Sequence, residues 1–152
     1  MTKFNQNQFQ TTCKLILFLS LVLFFSLANA QKAKGKLFII GGGHRSDKLM
    51  QHVVDLSQFQ KKDYIVVLPM SSEEPDSAYI YFKDQFQKLT PNPIVMLNFD
   101  KTTAQNPKLN DSLQKAKLIF ISGGDQTRFM NVVANTPVYA SIHKAFDNGS
   151  II

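Results

Sequence analysis

Two short runs of this chain are apolar at every position. They are Ile65–Leu68, with the sequence Ile-Val-Val-Leu, and Leu118–Ile121, with the sequence Leu-Ile-Phe-Ile. A strand with one face in water alternates apolar and polar residues, so an unbroken apolar run of this length predicts a strand buried on both faces. Such strands belong to parallel sheets that are covered by helices on both sides. The two runs therefore predict an α/β fold with a mostly parallel, doubly wound sheet.

The rest of the chain continues this alternation of strand and helix patterns. Strands are predicted at residues 36–40, 64–68, 94–99 and 117–122. Helices are predicted at residues 47–60, 77–89, 111–115 and 138–146, and another begins within residues 122–128. Residues 101–110 are polar and contain Pro107, which predicts a loop before the helix at 111–115.

At the C-terminus, Asn148 and Gly149 predict a helix C-cap, and Ser150 to Ile152 read as the opening of another strand. We therefore expect the natural domain to continue beyond Ile152. The alternative is a complete domain with a frayed C-terminus.

The first 30 residues have the pattern of a secretory signal peptide. Lys3 and Lys14 precede an apolar run over residues 15–27, and Ala28-Asn29-Ala30 supplies small residues for cleavage after Ala30. The run is shorter than the roughly 17–25 residues that span a bilayer, so a permanent anchor is the weaker interpretation. We expect a secreted or periplasmic protein that leaves the membrane after cleavage, with residues 31–152 forming the N-terminal part of one α/β domain.

Composition restricts the cofactors and partners of that domain. The single cysteine, Cys13, lies in the leader, so residues 31–152 contain neither disulfides nor thiolate ligands for a metal. Loss of Lys3 and Lys14 lowers the net charge from +6 to +4, and the remaining basic residues are scattered. Nucleic acid is therefore an unexpected partner, and no metal or organic cofactor is predicted. A homodimer is compatible with the sequence, which does not decide the oligomeric state.

Three loops follow predicted strands, where parallel sheets place their functional sites. Gly41-Gly42-Gly43-His44 follows the first strand, but Ser46 occupies the place of the third glycine of a dinucleotide motif, so tight-turn packing and ligand contact are equally expected. Residues 69–75 contain hydroxyl and carboxylate groups that could line a pocket, while capping of the next helix by Asp76 or Ser77 is the alternative.

The third loop, residues 122–128, reads Ser-Gly-Gly-Asp-Gln-Thr-Arg. Its glycines present backbone N–H groups at a helix N-terminus, a geometry that stabilises a developing oxyanion. Simple capping by Asp125 and a solvated Gln126 explain the same residues equally well.

Taken together, residues 35–43, Leu68-Pro69-Met70-Ser71-Ser72 and Phe120-Ile121-Ser122-Gly123-Gly124-Asp125-Gln126 resemble the cyanophycinase and dipeptidase E family of serine peptidases. The resemblance implies a class I glutamine-amidotransferase-like sheet. It also implies a Gly-Thr-Ser-Ala-Gly turn that carries the nucleophilic serine. Asn148 to Ile152 resemble the residues that lead into this turn.

The resemblance further assigns roles to individual residues. The backbone N–H of Gly124 would be an oxyanion donor, and Gly42, Gly43, Gly123, Asp125 and Gln126 would contact the substrate. The implied reaction is attack on a peptide or isopeptide carbonyl, followed by hydrolysis of an acyl-enzyme. Aspartyl or isoaspartyl peptides, or a cyanophycin-like polymer, would be the substrates. Because the serine, histidine and carboxylate would all lie beyond Ile152, we expect these 152 residues alone to be inactive.

None of the three histidines replaces the expected catalytic histidine. His52 and His143 lie within predicted helices, which favours surface roles, and His44 lies in a loop that the family uses for binding. Two alternatives to a hydrolase stay open on sequence grounds. One is a catalytically silent domain that binds a small ligand, and the other is an unrelated doubly wound domain, such as a flavodoxin-like protein or half of a periplasmic binding protein.

Overall fold

A computed structural model describes Phe9, residues 14–17, residues 34–41 and residues 43–152. The chain divides into two units, Met1–Lys32 and Ala33–Ile152. In the first unit the described residues are helical, and the rest of the predicted signal peptide, with its cleavage site, lies outside them. None of the described helices combines the length and the apolar character that crossing a bilayer requires.

The second unit is built on a parallel sheet. Its strands are β1 (Ile65–Leu68), β2 (Ile94–Met96) and β3 (Leu118–Ile121), in the order β2-β1-β3. β1 is central, with Ile65 opposite Ile94 on one side and Leu118 on the other. All four residues of β1 are buried, as its unbroken apolar sequence predicts.

Helices cover both faces of the sheet, so the predicted α/β layering is confirmed. One core contains Ile65 and Val67 of β1 with α1 (Asp47–Ser57) and α2 (Pro75–Phe86). The opposite core contains Val66 and Leu68 of the same strand. It is covered by α3 (Pro107–Lys115), α4 (Gln126–Val133) and α5 (Pro137–Asn148). Alternate residues of one apolar strand thus supply two separate cores.

Beyond β3 the pairing continues through single bridges. Ile151 pairs in parallel with Leu118 and also with Lys36. The Phe38 N–H donates to the Ile152 carbonyl at 2.7 Å, and the Ile152 N–H donates to the Lys36 carbonyl at 2.9 Å. The predicted strand at residues 36–40 is therefore wrong as a regular strand, because only Lys36 of this segment forms a β-bridge among the described residues. We call residues 36–40 the edge segment, and the sheet is incomplete on this side.

Several predicted boundaries are corrected by local hydrogen bonding. α1 ends at Ser57, not at residue 60, because Gln58 adopts a left-handed conformation with φ of 48°. β2 covers three residues instead of the predicted 94–99. α3 begins at Pro107, not at residue 111, because the Asn106 side chain accepts hydrogen bonds from Lys108 and Leu109 and proline suits the first helical position.

The ends of α2 and α5 test two capping predictions. α2 begins at Pro75 and makes no side-chain cap bond, so the predicted caps Asp76 and Ser77 are wrong and both residues lie inside the helix. Gly149, with φ of 108°, ends α5 and donates its N–H to the Ala145 and Phe146 carbonyls. The predicted glycine C-cap is confirmed.

Candidate functional site

A cavity of about 420 Å³ opens between the edge segment and β3. Phe38 and Ile40 line one side, β3 lines the other, and Ile151 and Ile152 lie between them. Gly41 and Gly43 from the first predicted loop, and Ser122 and Gly123 from the third, also line the cavity. The structure thus brings two of the three predicted loops to one space.

Gly43 and Gly124 have backbone conformations that favour glycine. Gly43 has φ of +102° and Gly124 has φ of +136°. A Cβ on Gly124 would also overlap the carbonyl oxygen of Ser71 and lie 2.7 Å from its carbonyl carbon. Position 124 therefore requires glycine both for its φ and for its close approach to the loop after β1. Gly42 lies outside the described residues.

Ser71 joins the second loop to the third. Its carbonyl accepts the Asp125 N–H at 2.9 Å and the Arg128 Nη1 at 3.0 Å. Arg128 also forms an ion pair with Glu73, with 2.9 Å between Nη2 and Oε1. Sequence reasoning missed Arg128 as a connector, although an arginine one turn into a helix, facing a carboxylate-rich loop, is a readable signal.

The backbone N–H groups of Gly123 and Gly124 make no hydrogen bond to any described residue. They directly precede α4, whose N-terminus carries a partial positive charge. Unpaired N–H groups at a helix N-terminus can donate hydrogen bonds to a carboxylate or to a developing oxyanion. Gly124 itself does not line the cavity, and its oxyanion role stays a prediction.

Asp125 is the N-cap of α4. Its carboxylate accepts the Thr127 N–H at 2.7 Å and the Arg128 N–H at 3.3 Å. These two backbone hydrogen bonds, in that order of importance, lower the pKa of Asp125 from its ordinary value. The capping role is therefore real, and the predicted contact of Asp125 with substrate stays a prediction. Gln126 is exposed, and its side chain bonds to no described residue.

Arg45 is the main feature that sequence reasoning missed. Its guanidinium carbon lies 4.9 Å from the ring centre of Tyr81 and 5.0 Å from that of Phe120. The Arg45 Nε donates to the Gln85 Oε1 at 3.3 Å, whereas Nη2 is buried without a hydrogen-bond partner. Burial lowers the pKa of Arg45, and the nearby Tyr81 opposes that shift. The readable signal was a lone arginine directly after a glycine-rich loop.

The histidines lie where the sequence places them. His52 is in α1, with its ring 6.0 Å from that of Phe38, and His143 is in α5, 4.5 Å from Tyr139. Both are exposed, and so is His44. Within the described part of the chain, no three His, Cys, Asp or Glu side chains cluster closely enough to hold a metal ion.

The model of peptidase family S51 matches residues 37–152. The chain belongs to this family. The resemblance to cyanophycinase and dipeptidase E that the glycine loops indicate is thereby confirmed. The match includes residues 37–40 of the edge segment, the described parts of all three loops and the sheet between them.

Curated relatives of this S51 chain include cyanophycinases from Trichormus variabilis and Synechococcus elongatus. The first is 25% identical over 126 residues, covering 80% of this chain and 42% of the relative. The second is 28% identical over 125 residues, covering 78% and 38%. The chain thus spans about two fifths of the length of these relatives.

A solved peptidase from an acI-B1 actinobacterium has the same fold. It matches with a TM-score of 0.63 and 19% identity, covering 78% of this chain and 52% of that protein. The predicted fold class is confirmed.

Proposed function

We propose that this chain forms the substrate-facing N-terminal part of a serine peptidase that hydrolyses aspartyl or isoaspartyl peptide bonds through an acyl-enzyme. Membership of peptidase family S51 supports peptide hydrolysis. Two of the relatives are cyanophycinases, which supports a peptide or a cyanophycin-like polymer as the substrate class.

The acyl-enzyme mechanism is supported by the backbone N–H groups of Gly123 and Gly124, which make no hydrogen bond to any described residue. They follow a buried parallel strand, and Gly123 lines the cavity. A tetrahedral intermediate needs donors that are already in place when its oxygen becomes negative. The loop after β1 supports this turn, since Ser71 occupies the space of a Cβ on Gly124 and its carbonyl accepts the Asp125 N–H at 2.9 Å.

The reaction assigns separate tasks to the loops. The Gly123 and Gly124 amides stabilise the oxyanion, while Gly42 and Gly43 let the substrate backbone approach the sheet closely. Asp125 and Gln126 border the same helix N-terminus and contact polar groups of the substrate. A serine on a strained turn attacks the carbonyl, and a histidine oriented by a carboxylate moves the proton.

The test uses the protein encoded by the complete reading frame. Purified protein is incubated with aspartyl dipeptides, isoaspartyl dipeptides and cyanophycin, and liberated amino groups are counted. We expect hydrolysis of at least one substrate and covalent labelling by a fluorophosphonate, which reacts with activated serines. A folded protein that hydrolyses none of them would refute the proposed substrates. Hydrolysis without labelling would refute the serine mechanism alone.

We also propose that the protein is exported and cleaved after Ala30. The lysines and the apolar run of residues 1–30 support export. Mass spectrometry of the cell-free or periplasmic fraction tests it, since the exported product should begin at Gln31. Recovery of uncleaved protein only from the cytoplasm would contradict it.

A further inference from the structure

Arg128 lies in the first turn of α4, at the third helical position. The N-terminus of a helix carries a partial positive charge, so a carboxylate is favoured in this turn and a cation is disfavoured. A cation at this position therefore needs compensating partners. The guanidinium has two, both in the loop after β1. Its Nη1 donates to the Ser71 carbonyl at 3.0 Å, and its Nη2 lies 2.9 Å from Oε1 of Glu73.

The Ser71 carbonyl accepts two hydrogen bonds from the opposite side of this contact. Ser71 is 3% exposed, and its oxygen accepts the Asp125 N–H at 2.9 Å in addition to the Arg128 Nη1. A carbonyl oxygen has two lone pairs, so these two donors satisfy it fully. The bond from the guanidinium is charge-assisted and is the stronger of the two kinds. Arg128 therefore restrains the carbonyl to which the Asp125 N–H is bonded.

The Asp125 N–H belongs to the peptide plane that follows Gly124. Its bond to Ser71 holds that plane, and the Ser71 backbone also occupies the space of a Cβ on Gly124. The Gly124 N–H lies in the preceding plane, so only the φ and ψ of Gly124 separate the two planes. Glycine restrains these angles less than any other residue. The direction of the Gly124 N–H thus depends on the contact with Ser71 and, through it, on Arg128.

We propose that Arg128 is a positioning residue for the backbone donors at Gly123 and Gly124. It acts through the Ser71 carbonyl and not by contact with the substrate. The inference rests on the proposed function, since these donors affect the reaction only if they stabilise the oxyanion. A misplacement of about 1 Å can lower a rate about 100-fold, so a modest restraint on this turn is enough to affect kcat. Glu73 is 80% exposed and only orients the guanidinium, because exposed ion pairs contribute little.

The first experiment measures kcat and KM for variants of the protein from the complete reading frame. The substrate is the aspartyl or isoaspartyl peptide that the wild type hydrolyses fastest. Arg128→Gln should lower kcat by about 10- to 100-fold and change KM by less than about 3-fold, because the oxyanion forms only in the transition state. Arg128→Lys keeps a donor for Ser71 and should recover part of kcat. Glu73→Gln should lower kcat by less than about 3-fold.

Lys115→Gln is the matched control. Lys115 forms the other ion pair among the described residues, 2.6 Å from Asp111, and this contact stays within α3. Its removal deletes an exposed ion pair of the same kind, so kcat should not change. Equal kcat in Arg128→Gln and Lys115→Gln would overturn the positioning role. A loss of kcat that follows the melting temperature and that Arg128→Lys does not recover would assign Arg128 to general stability and also overturn it.

The second experiment does not depend on hydrolysis. Amide hydrogen exchange at Asp125, followed by NMR, reports the bond from its N–H to the Ser71 carbonyl. Arg128→Gln should accelerate this exchange by about 10-fold, the effect of losing one charge-assisted hydrogen bond, whereas Lys115→Gln should not. If Arg128→Gln fails to fold, as circular dichroism would show, Arg128→Lys decides the case with a smaller acceleration.

The two experiments separate this inference from the proposed function. If the wild type hydrolyses no peptide and the exchange at Asp125 accelerates in Arg128→Gln, the proposed function fails while the restraint by Arg128 stands. If peptides are hydrolysed and kcat falls without faster exchange, the route through Ser71 is overturned while the proposed function stands. Exchange that stays unchanged overturns the positioning role in either case.

Discussion

Replacement of Gly124 by alanine should destabilise the fold far more than the same replacement at its neighbour Gly123. At φ of +136° a residue with a Cβ is strained, and the new methyl group would overlap the backbone of Ser71. The strain costs about 1–3 kcal/mol and the overlap a similar amount, so the free energy of unfolding should fall by about 2–6 kcal/mol. At Gly123, where no atom lies within 4 Å of the Cβ position and φ is not positive, alanine should change it by less than about 1 kcal/mol.

Urea denaturation followed by far-ultraviolet circular dichroism measures both variants. With a slope near 2 kcal/mol per molar urea, a loss of 4 kcal/mol lowers the midpoint by about 2 M. The slope itself should not change. If the two variants unfold within about 0.5 kcal/mol of each other, Gly124 does not need its positive φ, and the contact with Ser71 does not hold the loop.

Three further changes test the capping, polar and aromatic contacts. Because the pKa of Asp125 is lowered in the folded protein, its carboxylate stabilises α4 above the unfolded pKa, and this effect is lost as the pH falls below about 4. The melting temperature of the wild type minus that of Asp125→Asn should therefore decline between pH 5 and pH 2. A difference that stays constant over this range would contradict the capping argument. Asn110 is buried, donates to the Ala104 carbonyl at 2.8 Å and accepts from the Ser141 hydroxyl at 2.9 Å. Asn110→Ala should therefore lower the free energy of unfolding in urea by about 1–3 kcal/mol. The loss in the double variant with Ser141→Ala should differ from the sum of the two single losses. Phe82 lies 4.2 Å from the rings of both Phe86 and Phe120. Phe82→Ala should lower the free energy of unfolding by about 3–5 kcal/mol, whereas Ile80→Ala, at an exposed position, should lower it by less than about 1 kcal/mol. Equal losses would refute the packing argument.

The sequence predicts the central strands well because a run without any polar residue indicates burial on both faces. Ile65–Leu68 and Leu118–Ile121 are apolar throughout, and the sheet covered on both faces buries all of the first run and the first two residues of the second. Predictions failed where the outcome depends on a partner elsewhere in the chain. The edge segment has a clear strand pattern, but among the described residues it is paired only by the bridge from Lys36 to Ile151. The start of α3 was missed for a local reason, since the capping side chain of Asn106 makes Pro107 the first residue of a helix.

The same distinction holds at the candidate site. The glycine loops were predicted because glycine marks a backbone requirement locally, and Gly43 and Gly124 do have positive φ. Arg45 was missed because its importance comes from Tyr81, Phe120 and an unpaired Nη2, which only the fold brings together. Arg128 was missed for the same reason, since Ser71 and Glu73 lie in another loop.

The pairing of Lys36 with Ile151 joins the two most distant parts of the sheet along the chain. Contacts between distant positions form late, because the intervening chain must be ordered first. We expect a folding molecule to complete β1, β2 and β3 before the edge segment docks, an order that amide protection at Phe38 would register. Since the edge segment forms one whole side of the cavity, partly folded molecules would have a sheet but no binding site. Ligand affinity would then report completed folding, and ligands would stabilise only the finished molecule.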